Sequence, residues 1–181
     1  MSEPPAEVSM PPLEPRPYDH QRRQELTQRL GRVMLEVAPP GWRRIDLKIL
    51  MLVGIADLRL TVIMQDGGSQ AVDPPRECTL IAGELRAMMY RPGEGTWFGM
   101  RFMMDPPSAY WVSFNATFDP RWDPPVPSDA WRQDLAVFAR TNEHIPGWLR
   151  ERSGGPADAP APGTGGTYGQ PLGGRTERGT P

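Results

Sequence analysis

One cysteine, one lysine and two histidines in 181 residues remove several kinds of chemistry at the outset. A lone Cys78 excludes an intramolecular disulfide and any cysteine-based zinc cluster, which fits a reducing compartment. His20 and His144 stand at opposite ends of the foldable sequence without companions at metal-ligand spacing, so neither a zinc site nor a catalytic dyad is expected. No glycine-rich phosphate loop, nucleophile elbow, HExxH or calcium loop occurs, and Gly93-Glu94-Gly95 is too short for a nucleotide signature. Cys78 opens an apolar helix with no assignable base, which reads as a small buried residue and not a nucleophile. No apolar run approaches the roughly 20 residues of a membrane span, and the first residues lack the basic-then-apolar order of a secretory signal. The expectation is a cytoplasmic protein with no cofactor, no metal and no catalytic residues.

Excess charge of one sign is missing too. The net charge is −2, and the stretch Tyr18 to Arg152 holds 17 basic against 17 acidic residues, so bulk charge marks no nucleic-acid binder. Lys48 is the only lysine, every other basic residue being arginine.

Proline and glycine are concentrated at the ends. Residues 1–17 contain six prolines, and residues 153–181 contain nine glycines and five prolines. Such segments bury too little apolar surface to offset their ordering entropy, so a disordered N-terminal arm and a disordered tail are expected around one domain at 18–152.

Within that domain the periodicities alternate. Asp19 is placed to cap a helix through about Val37, with Leu26, Leu30, Val33 and Val37 on one face and Pro39-Pro40 ending it. Two strands follow, carrying Ile45, Leu47, Ile49, Met51 and Val53, then Leu58, Leu60, Val62 and Met64, on their apolar faces. A two-residue loop at Gly54-Ile55 aligns both sets and predicts a type II′ turn. Gln70 to Val72 suits a short edge strand. Asp73-Pro74 reads as cap and first turn of a second helix through about Tyr90, burying Leu80 or Ile81 with Leu85, Met88 and Met89. A third helix after Pro127, capped by Ser128, turns Trp131, Leu135 and Phe138 inward, and a segment Ile145 to Leu149 packs back. The order αββαββα predicts an α+β domain, with an antiparallel sheet of four to five strands and helices on one side.

The second strand pair carries the most information. Phe98, Met100, Phe102 and Met104 alternate against Trp97, Gly99, Arg101 and Met103. Tyr110, Val112, Phe114, Ala116 and Phe118 alternate against Trp111, Ser113, Asn115, Thr117 and Asp119. A loop at 105–109 sets Met104 opposite Tyr110 and Met103 opposite Trp111. Trp97 and Trp111 thus fall on the polar face, where either another part of the chain covers them or a partner does.

Asp precedes Pro at Asp73, Asp105, Asp119 and Asp123. Turn initiation accounts for Asp73 and Asp105. Asp119 and Asp123 flank Pro120-Arg121-Trp122, where stiff backbone would hold a tryptophan beside carboxylates as a preorganised contact site. Residues 105–134 contain five Asp against two Arg, a local charge of −3.

The sequence ELRAMMY at 84–90, Trp97 in TWFGMRF, the turn-entered strand YWVSFN and the aromatic-acid pair Phe118-Asp119 together resemble the YezG-like antitoxin (immunity protein) family. DPRWDPP and HIPGWL are similar to segments of actinobacterial immunity proteins from polymorphic toxin systems. The resemblance spans about residues 20–152, with Phe-Asp in place of Tyr-Asp and a proline-rich elaboration around Asp123. It implies a protein that binds a cognate toxin, often a nuclease, and blocks it by occlusion. A basic catalytic face would favour an inhibitor that presents aspartates and a central tryptophan. The expected contacts are Trp111, Asp119, Trp122 and Asp123, with Trp97 and Arg101 as adjacent support. A general interaction module of other partnership, or a small-molecule-binding domain, would share the same fold.

Overall fold

The computed structural model describes residues 12–155. Its elements are α1 (His20–Val37), β1 (Trp42–Leu52), β2 (Ile55–Met64), β3 (Ser69–Val72), α2 (Arg76–Met88), β4 (Gly99–Asp105), β5 (Ala109–Asn115), α3 (Ser128–Val137) and α4 (Gly147–Arg152), with one 3₁₀ turn at Asn142–His144. The strands form one antiparallel sheet in the order β3-β2-β1-β4-β5. The α+β class and the five-stranded antiparallel sheet therefore agree with expectation.

Alternation decides which face is buried. Ile45, Leu47, Ile49 and Met51 of β1, Leu60 and Val62 of β2, and Met100, Phe102 and Met104 of β4 all point into the main cluster. Leu26, Leu30, Val33 and Met34 of α1 close it with Ile81, Leu85 and Met88 of α2. Each such side chain contributes about 1.5–3 kcal/mol when taken out of water. Asp19 caps α1 as the sequence predicts, its Oδ1 accepting the Arg22 N–H at 3.0 Å. Arg22 then donates to both oxygens of Glu84 at 2.7 and 3.1 Å, tying α1 to α2.

Four boundaries depart from expectation. α2 begins at Arg76 with Pro75 as its cap, not Asp73, because the residue before a proline is driven out of helical backbone and Pro74 precedes Pro75. Pro127, not Ser128, caps α3. The β1–β2 loop is Val53-Gly54, with Leu52 opposite Ile55. Gly54 takes φ +78° at the second loop position, the place of a type II turn. Every apolar residue nevertheless keeps its face, since each strand moved by a single step in opposite senses. Residues 12–17, expected in the N-terminal arm, lie along α2: Leu13 is buried and the Arg16 N–H donates to the Ala87 carbonyl at 3.1 Å. The rest of that arm and the tail from 156 onward lie outside the described residues.

Helices do not keep to one side. Leu52 and Ile55 stand on the pleat face opposite Met51 and Ala56, and there they meet Phe98, Trp131, Trp148 and Leu149 in a second cluster built by α3 and α4. Buried polar groups join the two clusters. Arg86, with no exposed surface, donates to Asp134 at 2.8 Å and to the Trp97 carbonyl at 2.8 Å, and it lies over the Phe138 ring. The other oxygen of Asp134 accepts the Val53 N–H at 2.9 Å, fixing α3 against the end of β1.

Candidate interaction surface

Away from the second cluster, the face of the sheet opposite α1 and α2 carries no helix. Its rows follow from the registers. One runs Thr61, Asp46, Met103, Trp111 across β2, β1, β4 and β5; the next runs Arg59, Lys48, Arg101, Ser113. Like charges directly opposite each other cost stability, so the three cations of the second row need compensation. Carboxylates in adjoining rows supply it. Asp46 accepts two bonds from Arg101 at 2.9 and 2.6 Å, and Asp57 stands 3.2 Å from Arg59. At the upper end Arg44 grips both oxygens of Asp105 at 2.7 and 2.6 Å, which holds the Asp105 carboxyl below its ordinary range. Lys48, exposed in the middle, has no ion pair among the described residues.

Trp111 is 49% exposed, beside Met103, with the Arg44 guanidinium 5.9 Å from its ring centre. Arg101 lies on the same face, so these two expected contacts come together on the sheet. A segment that leaves β5 borders the same face at β2. Asn115 turns the chain by accepting the N–H groups of Thr117 and Phe118, and the segment ends beside β2, where the Asp123 carbonyl accepts from Arg59 at 3.3 Å. The Asp123 carboxylate is exposed at this border.

Of the other expected contacts Trp97 is corrected, while Trp122 and Asp119 are partly exposed and engaged within the chain. Trp97 is 2% exposed and packs in the main cluster, 5.7 Å from the Phe114 ring. The reason lies just before β4. The Phe98 N–H donates to the Asn115 carbonyl while Gly99 is the register partner of that same Asn115, so two residues face one, as in a β-bulge. The additional residue reverses parity, sending Trp97 to the helix side and Phe98 to the second cluster. Trp122 is half-buried against that second cluster. Asp119 is engaged within the chain: its Oδ1 accepts the Arg121 N–H and its Oδ2 accepts from Arg152 at 3.2 Å.

The acidic character expected of residues 105–134 is largely cancelled by arginines. Asp105 pairs with Arg44, Asp119 with Arg152, Asp129 with Arg132 and Asp134 with Arg86, leaving Asp123. Two of these partners, Arg44 and Arg86, come from far earlier in the sequence, which is why local counting misses them. Sequence reasoning also placed Phe118 inward, whereas β5 ends at Asn115 and Phe118 is 77% exposed. Alternation counted past a turn was the misleading signal, and Asn115 followed by small residues was the one that marked it.

Cys78 is buried, and burial pushes its thiol up to about 11. Among the described residues no group of three or more His, Cys, Asp and Glu side chains is placed to hold a metal ion, and no helix is long and apolar enough to cross a membrane. No family model matches this chain, and no curated protein matches it.

Proposed function

We propose that this chain is a binding protein of the immunity type, which occludes a cognate protein toxin with the uncovered face of its sheet. The observation that carries this reading is a half-exposed Trp111 set among fixed arginine–carboxylate pairs, with Asp123 brought to the border of the same face. Paired side chains on rigid strands lose little freedom on docking, and a tryptophan among them is the usual anchor of a protein interface. The resemblance to YezG-like immunity proteins supports a toxin as the occupant, and it alone supports a nuclease, since most of the aspartates are already paired with arginines. The contacts proposed are Trp111, Arg101 and Asp123, with Lys48 between them.

Growth rescue tests this. A candidate toxin domain from a neighbouring gene is expressed in a bacterial host with and without the full chain. Rescue by wild type, with affinity lowered by about 2 kcal/mol, roughly thirtyfold, in Trp111→Ala, is the expected result. A toxic neighbour that soluble protein fails to neutralise would instead favour an interaction module with another cellular partner.

A further inference from the structure

The two edges of the sheet differ. β3 presents four residues, whereas β5 presents seven, Ala109–Asn115. An edge strand leaves a row of N–H and C=O groups unpaired, and edges are ordinarily guarded by lysine, proline, charge or a covering loop. β5 has no charged residue and no proline within its length, and Tyr110 and Trp111 are each nearly half exposed, one on each face. α1 runs beside this edge and forms one wall of two grooves. Arg23 and Val112 line the first, Arg32 the second, Tyr110 lines both, and no carboxylate lines either groove. Arg23 donates to the Tyr18 hydroxyl and lies over the Phe114 ring. Neither arginine has an ion pair among the described residues.

We propose that the β5 edge receives an extended segment of a protein partner as a sixth strand, with apolar side chains laid on Tyr110 and Val112 and carboxylates at Arg23 and Arg32. Main-chain pairing supplies affinity in this mode, and alternate side chains supply selectivity. Charge decides the occupant. Pairing β5 with β5 of a second copy about a two-fold axis would keep both α1 helices on one side of the joined sheet and set arginines against arginines. An acidic, apolar strand meets unneutralised cations instead. The inference rests on the binding reading only in taking the partner to be a protein, and its test does not pass through the toxin.

The probe is a peptide of about nine residues in which valine and glutamate take turns at the odd positions with threonine at every even one, so that both kinds face α1, and its counterpart is a valine–lysine peptide of the same pattern and length. Each is titrated into the full chain while amide hydrogen exchange is followed over residues 109–115. The valine–glutamate peptide should slow exchange there by roughly fivefold or more while the valine–lysine peptide does not. The double variant Arg23→Glu, Arg32→Glu should reverse that preference, and the single Arg32→Glu, on an exposed helix position, should weaken it with an unchanged unfolding midpoint, since only Arg23 is half-buried and bonded to Tyr18. Equal slowing by both peptides, or by neither, overturns the proposal. So does protection of β5 in the chain alone: if it rises with protein concentration the occupant is a second copy, and if it disappears on removing residues 156–181 the occupant is the chain's own C-terminus.

Discussion

At the scale of single residues, Arg86 and Asp134 form the most deeply buried ion pair among the described residues. Each neutralises the other where water is excluded, and each also satisfies backbone: Arg86 the Trp97 carbonyl, Asp134 the Val53 N–H. Removing one partner of such a pair leaves an uncompensated buried charge, at a cost of about 3–5 kcal/mol. Asp134→Ala should lose that much in urea unfolding, and it also strips Val53 of its acceptor. Arg86→Met with Asp134→Leu, which removes both charges and keeps bulk, should recover much of the loss. Equal destabilisation by the single and the double variant would show that packing, and not the stranded charge, sets the cost. Neither residue was legible as a pair from the chain alone. Arg86 lies in the middle of ELRAMMY, 48 positions from Asp134, and nothing local distinguishes a buried arginine from a solvated one.

Among elements, the α1–α2 pair and the β4–β5 pair show what periodicity can and cannot deliver. The faces of α1, β1, β2 and the whole β4–β5 register followed from alternation, because one buried face penalises any odd slip. The bulge at Phe98-Gly99 did not, since a bulge is an exception to the very period being counted, and with it went Trp97. The contact between helices was equally hidden, yet it makes a testable difference. A hydrogen bond from Arg22 is the main cause holding the Glu84 carboxyl below its ordinary range, with burial opposing. A depressed carboxyl binds fewer protons folded than unfolded, so its contribution is complete above about pH 4.3 and is lost as pH falls through the folded value. Wild type should therefore lose more stability than Glu84→Gln between pH 6 and pH 3, measured as guanidinium midpoints at the two values. Asp105 acts in the same sense through Arg44 and persists in both proteins. An identical loss in the two would show that the clamp contributes nothing.

For the molecule as a whole, proline counting drew the domain too short. Residues 1–17 look unable to order themselves, and by composition that is sound, but order can be imposed from outside: Leu13 enters the main cluster and Arg16 borrows a carbonyl from the last turn of α2. An added carbon at Gly83 would come within 3.0 Å of the Leu13 side chain, so the helix surface is cut to receive it. The uncovered face was visible in the alternation of Trp111 and Arg101, whereas its neutralised aspartates, which come from pairing across long separations, were not. Two lengths of chain separate the readings. Residues 12–155 should unfold at the same midpoint as the full chain. Residues 18–152 lack Leu13 and the Arg16 bond, together with the Ser153 and Gly154 amides that finish α4. Deleting a buried leucine costs about 2–5 kcal/mol. Leu13 sits at the rim of the cluster, where relaxation is easiest, so the shorter length should lose about 2 kcal/mol, near the lower end of that range. Leu13→Ala in the longer length should reproduce most of that difference; if it is silent while the truncation is not, the stability resides in the α4 terminus instead.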